Sequence, residues 1–180
     1  MVKKVEIMGS SYARATGALS LVGFALSAYA LYVEISKAND PSYTAMCDIA
    51  ARISCSLVFT SEYGTGFGLV SKILGPDSFL NQPNGLFGLI MYPLFFVTSI
   101  IPHPLVALGG LVLGISGIVM SIYLGYALFI VLQDACVVCI STYLVNIGLF
   151  ICSLRTYRAV MSRSKAKTTK SQPTKKQKRT

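Results

Sequence analysis

The sequence predicts an all-α membrane protein: a bundle of four transmembrane helices with an extracytoplasmic, luminal cap region between the first and second. Three observations carry this. Hydrophobic residues make up 53% of the 180-residue chain and charged residues only 13%, about half the charged share of an ordinary soluble domain. Residues 15–33, 84–101, 105–132 and 135–154 contain no charged side chain, and each run is long enough to cross a bilayer, which takes roughly 17–25 helical residues. Basic residues gather at the two ends: of sixteen Lys and Arg, ten lie from Arg155 to Arg179, and Lys3, Lys4 and Arg14 add three.

The chain divides accordingly. Residues 1–14 form a cytoplasmic amino terminus, because the basic ends belong on the cytoplasmic side and an even number of spans returns both there. The first apolar run is long enough to span, and no small-residue cleavage site follows it, so it reads as a helix and not as a signal peptide. The cap, residues 36–83, sets Lys37, Arg52 and Lys72 against Asp40, Asp48, Glu62 and Asp77. It mixes apolar residues with Gly and Ser, which points to an ordered cap. Pro93 should kink span two. Pro102-His103-Pro104 is a cytoplasmic turn. Span three is long and should tilt or protrude; its Gly110, Gly114, Gly117, Ser121 and Gly125 form a small-residue stripe for close helix packing. Asp134 returns to the far side before span four. The transmembrane unit is therefore residues 15–155, and residues 156–180 are expected to be a basic, disordered cytoplasmic tail.

Two classes are disfavoured. The net charge of +9 sits on tails and leaves no folded basic face to hold nucleic acid, whereas a basic tail beside spans suits a lipid bilayer. None of the four runs carries an Asp, Glu, Lys or Arg, groups that ion pumps and proton-coupled transporters usually need.

The chemistry lies in the cysteines. Of the five, Cys47, Cys55, Cys136 and Cys139 all fall on the extracytoplasmic side, where disulfide exchange is supported. Cys136-Val137-Val138-Cys139 is a C-x-x-C at a helix start, where the helix dipole favours the reactive thiolate; Asp134 is a candidate cap for that helix. In one straight helix Cys47 and Cys55 would be about 12 Å apart, too far for a disulfide. Either the chain breaks between them and they pair, or each pairs elsewhere at different stages. No metal is expected, since a four-cysteine zinc site usually shows two tight knuckles and only one is present. Cys152 lies about 20 Å down the helix from Cys139 and reads as a buried small apolar residue.

Cys136, Cys139, Tyr143, Asn146 and Phe150 recur at helical spacing and form one stripe. Tyr143 is a phenol one turn from Cys139, suited to a substrate contact, and Asn146 is a candidate for substrate contact or interhelical glue. Asn84, at the start of span two on the same membrane face, offers an amide donor. Two neutral donors beside a thiol in an apolar site suit a ligand with carbonyl oxygens and a greasy body.

Together, Asp40-Pro41-Ser42-Tyr43, Cys47-Asp48, Ile53-Ser54-Cys55-Ser56, Val58-Phe59, Gly64, Gly66-Phe67-Gly68-Leu69, Leu80-Asn81-Gln82-Pro83-Asn84, the C-x-x-C, Tyr143 and Asn146 resemble the vitamin K epoxide reductase family. The likeness runs from about residue 18 to 155. It implies thiol-dependent reduction of vitamin K epoxide or vitamin K quinone, with vitamin K as substrate, a dithiol as electron donor and no bound cofactor. It further implies that Cys139 attacks the substrate and Cys136 resolves the adduct. Cys47 and Cys55 would relay electrons from a thioredoxin-like luminal oxidoreductase. Asn84 and Tyr143 would bind the substrate oxygens, and Phe59, Phe87, Leu124 and Leu128 would line the apolar pocket. The chain departs from the family at Glu62-Tyr63 and Thr65, where family members carry Arg-Trp and Arg, so its cap loop differs in charge.

Two other functions use the same features. A quinone-coupled disulfide generator would run the electrons the opposite way, and a non-catalytic tetraspan scaffold would use the disulfides as staples. The carboxyl end, Lys176-Gln177-Lys178-Arg179-Thr180, resembles a dilysine K-x-K-x-x address and points to the endoplasmic reticulum membrane with both termini cytoplasmic.

Overall fold

A computed structural model describes the backbone of residues 2–50 and 52–171, with side chains from residue 11 to 164 apart from Ala51. The charge-free runs all become helix, since a chain that cannot give its amides to water must bond them to itself. Helix α1 spans Val2–Asn39, α4 spans Asn84–Ile100, α5 spans Pro104–Tyr126 and α6 spans Val137–Ser171. Between α1 and α4 lie two short helices, α2 (Cys55–Phe59) and α3 (Val70–Leu74), with a 3-10 turn at Gly66–Gly68 between them. Among the described residues, β pairing is confined to isolated bridges.

Three helices are long and apolar enough to cross a membrane: Ser11–Asn39, Pro104–Leu132 and Val137–Ser164. The 17-residue α4 is apolar but shorter. The outer surface is greasy, with Leu21, Ile90, Val112 and Leu144 exposed, while Ser20, Ser27, Ser121 and Ser153 are buried. That inversion of the soluble pattern suits a lipid surround.

The helices overrun the charge-free runs at both ends. Helix α1 already includes residues 2–14 and continues past Val33 to take in Glu34 and Lys37. Helix α6 runs to Ser171, so the expected disorder from residue 156 onward is corrected as far as that residue. The physical reason is common to both: Ala, Met, Lys, Glu and Arg are good helix formers, and backbone hydrogen bonding does not stop where hydropathy does. The terminal Lys176 to Thr180 motif lies outside the described residues.

Helix α1 packs on α4 and α6, and α5 packs on α6 and more lightly on α4. Small residues permit the close approaches. A Cβ at Gly23 would overlap the Tyr92 ring, and one at Gly85 would lie 2.9 Å from the Ser27 carbonyl oxygen. The α5 stripe packs as expected, with Gly110 facing Thr98, Gly114 facing Phe150 and Gly117 facing Asn146. Span three is not α-helical throughout: Ala127–Leu132 winds as a π-helix, closed by Gln133 in the left-handed region at φ 53°. Such wide turns often accompany functional sites.

The cap is ordered by side-chain bonds to its own turns. The Lys37 ammonium donates to the carbonyls of Pro41 and Tyr43, each at 2.8 Å. Asp40 accepts from the Ser42 amide at 2.8 Å and its hydroxyl at 2.6 Å. Gly66 and Gly68 adopt φ of 52° and 69°, which only glycine takes freely; Phe67 between them is held at φ 58° as well.

Candidate active site

Two backbone pairings bring the site together. The Ser54 amide donates to the Ala135 carbonyl at 3.0 Å, and the Ala135 amide donates to the Arg52 carbonyl at 2.9 Å. The next residue in each strand of that pairing is a cysteine. Cys55 and Cys136 therefore lie side by side, both fully buried, with their sulfurs 3.9 Å apart.

Cys47 and Cys55 are joined as a disulfide, with Cα atoms 5.8 Å apart. Of the two alternatives open in the sequence, the chain takes the first. It breaks into turns between them, with an antiparallel bridge at Ala50 and Ile53. Asp48 holds this reversal. Its carboxylate accepts from the Ala45 amide at 3.0 Å, the Ser54 hydroxyl at 2.9 Å, the Ser56 amide at 3.0 Å and the Ser56 hydroxyl. Burial pushes this carboxyl up, but the bonds from Ser56, Ala45 and Ser54 outweigh it and hold it at about 2, below the ordinary 3.8. The Tyr29 hydroxyl stands 3.8 Å from the Cys47 sulfur. Cys47, Asp48 and Cys55 bring ligand-type atoms within 4.8 Å of one another. The sulfurs are bonded to each other, however, and the carboxylate is occupied.

Cys136, Cys139 and Cys152 are free thiols. Cys136 sits just before α6, and its sulfur accepts from the Cys139 amide at 3.2 Å. Cys136 is thus itself the cap of the helix, a role the sequence offered to Asp134; one carboxylate oxygen of Asp134 is buried without a partner. Cys152 is buried on α6, away from this group.

Beside the thiols is a cavity of about 390 Å³. Phe59, Asn84, Phe87, Leu124, Leu128, Cys139 and Tyr143 all line it, so every residue assigned to the pocket from the sequence meets there. Cys136 does not. The small residues Gly117 and Ser121 on α5 also face it, so the packing stripe leaves room for it too. Phe67 closes one side, stacked on Phe87 at 5.0 Å between ring centroids.

The polar groups divide by task. Among the described residues no protein group bonds the Tyr143 hydroxyl, and the residue lines the cavity. Asn84 does not cap its own helix. Its amide nitrogen donates to the Tyr63 carbonyl at 2.6 Å and its oxygen accepts from the Phe67 amide at 2.9 Å, tying the cap loop to α4. The nitrogen has a second hydrogen to offer. Asn146 is the glue the sequence allowed for: it accepts from the Tyr92 hydroxyl at 3.1 Å and donates to the Ser121 hydroxyl at 2.9 Å, joining α4, α5 and α6.

Two features escaped sequence reasoning. The Asp48 network was signalled only by Ser54-x-Ser56 following an Asp at short range. Glu34 lies one position past the first charge-free run, between span and cap, yet it lines the cavity. Its signal was the phase of α1, where Ser27, Ala30 and Glu34 fall on one face.

Comparison with known proteins bears on this arrangement. The model of the Vitamin K epoxide reductase family matches residues 14–154. A Mus musculus protein named Vitamin K epoxide reductase complex subunit 1 is 44% identical over 138 residues, 77% of this chain and 86% of that protein. Its Rattus norvegicus counterpart is 42% identical over the same shares.

Proposed function

The chain belongs to the vitamin K epoxide reductase family, and on that premise we propose that it reduces vitamin K epoxide or vitamin K quinone with a dithiol, through the Cys136–Cys139 centre. One observation carries the reading. Cys139 faces the cavity, while Cys136 faces the Cys47–Cys55 disulfide at 3.9 Å from Cys55. The C-x-x-C thus stands between a place for substrate and a place for electrons.

Cys139 attacks the substrate, its thiol proton passing to the substrate oxygen, and Cys136 attacks the sulfur of the adduct. The new Cys136–Cys139 disulfide yields two electrons. A quinone takes them with two protons to become a hydroquinone; an epoxide takes them with two protons to become a quinone and water. Cys55 then attacks Cys136, and Cys47 closes on Cys55, which leaves the relay oxidised and the C-x-x-C reduced. That is the oxidation state described here, charged for the next turnover. A thioredoxin-like luminal protein would reduce Cys47–Cys55 again. Tyr143 and the second hydrogen of the Asn84 amide orient the substrate oxygens, and Phe59, Phe87, Leu124 and Leu128 hold its apolar body.

We read α4 as the fourth span, the cap as luminal and both termini as cytoplasmic, in the endoplasmic reticulum membrane. The gathering of thirteen basic residues at the ends supports that orientation.

The test is turnover of vitamin K epoxide and vitamin K quinone side by side, with protein purified in detergent and a small dithiol. Cys139→Ser and Cys136→Ala should abolish it, and Cys152→Ser should leave it unchanged. Full activity in Cys139→Ala would overturn the mechanism. Faster quinone-driven oxidation of a reduced partner protein would favour the disulfide-generating direction, and no turnover in either direction the scaffold.

A further inference from the structure

We propose that Glu34 is the proton carrier of the cavity, giving a proton to the substrate oxygen as the Cys136–Cys139 disulfide closes. The inference rests on the reductase reading above. Of the residues lining the cavity, Glu34 is the only one with a carboxyl or a basic side chain. It is half-buried. Among the described residues no hydrogen bond or ion pair holds its carboxyl.

Three of the four cap acids are engaged: Asp40 is bound by Ser42, Asp48 by Ser54 and Ser56, and Glu62 lies 3.8 Å from Lys72; Asp77 does not line the cavity. A carboxyl left without a partner on an apolar wall costs stability, and an ionisable group at such a place in a membrane protein is by default functional. The remaining titratable groups of the cavity are Tyr63 from the cap, Tyr92 from α4, and Cys139 and Tyr143 from α6. Tyr92 is committed to Asn146, and α5 contributes none.

The proton count gives Glu34 its task. Reduction delivers two electrons and the substrate needs two protons. Cys139 brings one as a thiol. Cys136 is fully buried outside the cavity, and the amides at the start of α6 favour its thiolate, so it brings none. Glu34 in its acid form supplies the second. One thiol, one thiolate, one carboxylic acid and a quinone give a hydroquinone, a disulfide and a carboxylate; with the epoxide the products are the quinone and water. Water at the nearby end of α1 then returns the proton to Glu34.

The experiment uses the full chain in detergent, pre-reduced with a dithiol, mixed with one equivalent of vitamin K epoxide and followed through a single turnover. Wild-type turnover is measured first, and its absence would defeat the reductase reading itself. With wild type active, Glu34→Gln should slow the single turnover by about 100-fold, the scale of general acid catalysis, with KM in steady state changed less than about 3-fold. Glu34→Ala should be equally slow and should regain rate with added acetate, to which wild type is indifferent. An unchanged rate in Glu34→Gln, a loss confined to KM, or no response of Glu34→Ala to acetate would each overturn the inference.

Discussion

Removing the Asp48 carboxylate should loosen the relay disulfide's platform without touching a sulfur. Four donors converge on this side chain, from Ala45, Ser54 and both the amide and hydroxyl of Ser56. Hydrogen bonds to a charged group contribute about 1.5–3 kcal/mol each. They are not additive, and Asp48 is only partly buried, so about half of the sum is expected. Asp48→Ala should therefore destabilise the cap by about 3–6 kcal/mol, the larger part because the buried Ser54 and Ser56 lose their acceptor. Asp48→Asn keeps the shape and loses the charge, and should cost about 2 kcal/mol. Acid acts on the same bonds. The folded carboxyl titrates at about 2 against an ordinary 3.8, so its stabilisation is complete above the unfolded value and is lost as pH falls from there through the folded value. Hydrogen exchange over residues 45–57, measured on the oxidised protein in detergent, reads the local opening. Protection should fall about 100-fold or more in Asp48→Ala and about 30-fold in Asp48→Asn. Wild type should lose the same protection below about pH 4. Wild-type protection in both variants would refute the claim that Asp48 holds the reversal.

The remaining expectations concern the pocket, the relay and the bundle. Tyr143→Phe and Asn84→Ala should each weaken turnover or substrate binding by about 10-fold, the scale of one hydrogen bond of about 1.4 kcal/mol; Asn84→Ala should also increase proteolysis of the cap loop, because the bonds to Tyr63 and Phe67 go with it, and unchanged kinetics in both would move the substrate elsewhere. Alanine at Cys47 or Cys55 should cost more activity with a thioredoxin-like donor than with a small dithiol, and equal losses would mark the pair as structural. Gly23→Ala should lower thermal stability by about 1–3 kcal/mol, since a Cβ there meets the Tyr92 ring and forces it from its place; unaltered melting would place α1 and α4 farther apart. A glycosylation acceptor inserted within residues 77–80 should be modified in cells and one in the tail should not, and the reverse pattern would strand the thiols in the reducing cytoplasm.

The apolar runs, the C-x-x-C and the Cys139–Tyr143–Asn146 stripe were legible in the sequence because each is local. Helices form from hydrogen bonds four residues apart, and hydropathy decides where water is absent. The glycine stripe of α5 was legible for the same reason. Everything that depended on chain reversal was decided by tertiary structure. The sequence left the partner of Cys47 open, since eight intervening positions fit a helix as readily as a turn. Cys55 meets Cys136 across 81 residues through amides and carbonyls of Arg52, Ser54 and Ala135, groups that every residue carries and no side chain announces. Asn84 was recognisable as an amide at the right depth, but its bonds to the cap loop follow from where residues 63–67 fold. Glu34 stood one position beyond a charge-free run, and only the packing of α1 against α4 and α6 turned it toward the cavity. Composition and period therefore determined which segments leave water and which residues share a helix face. Which faces meet was settled by backbone pairing between distant segments, whose energy is not written in residue type.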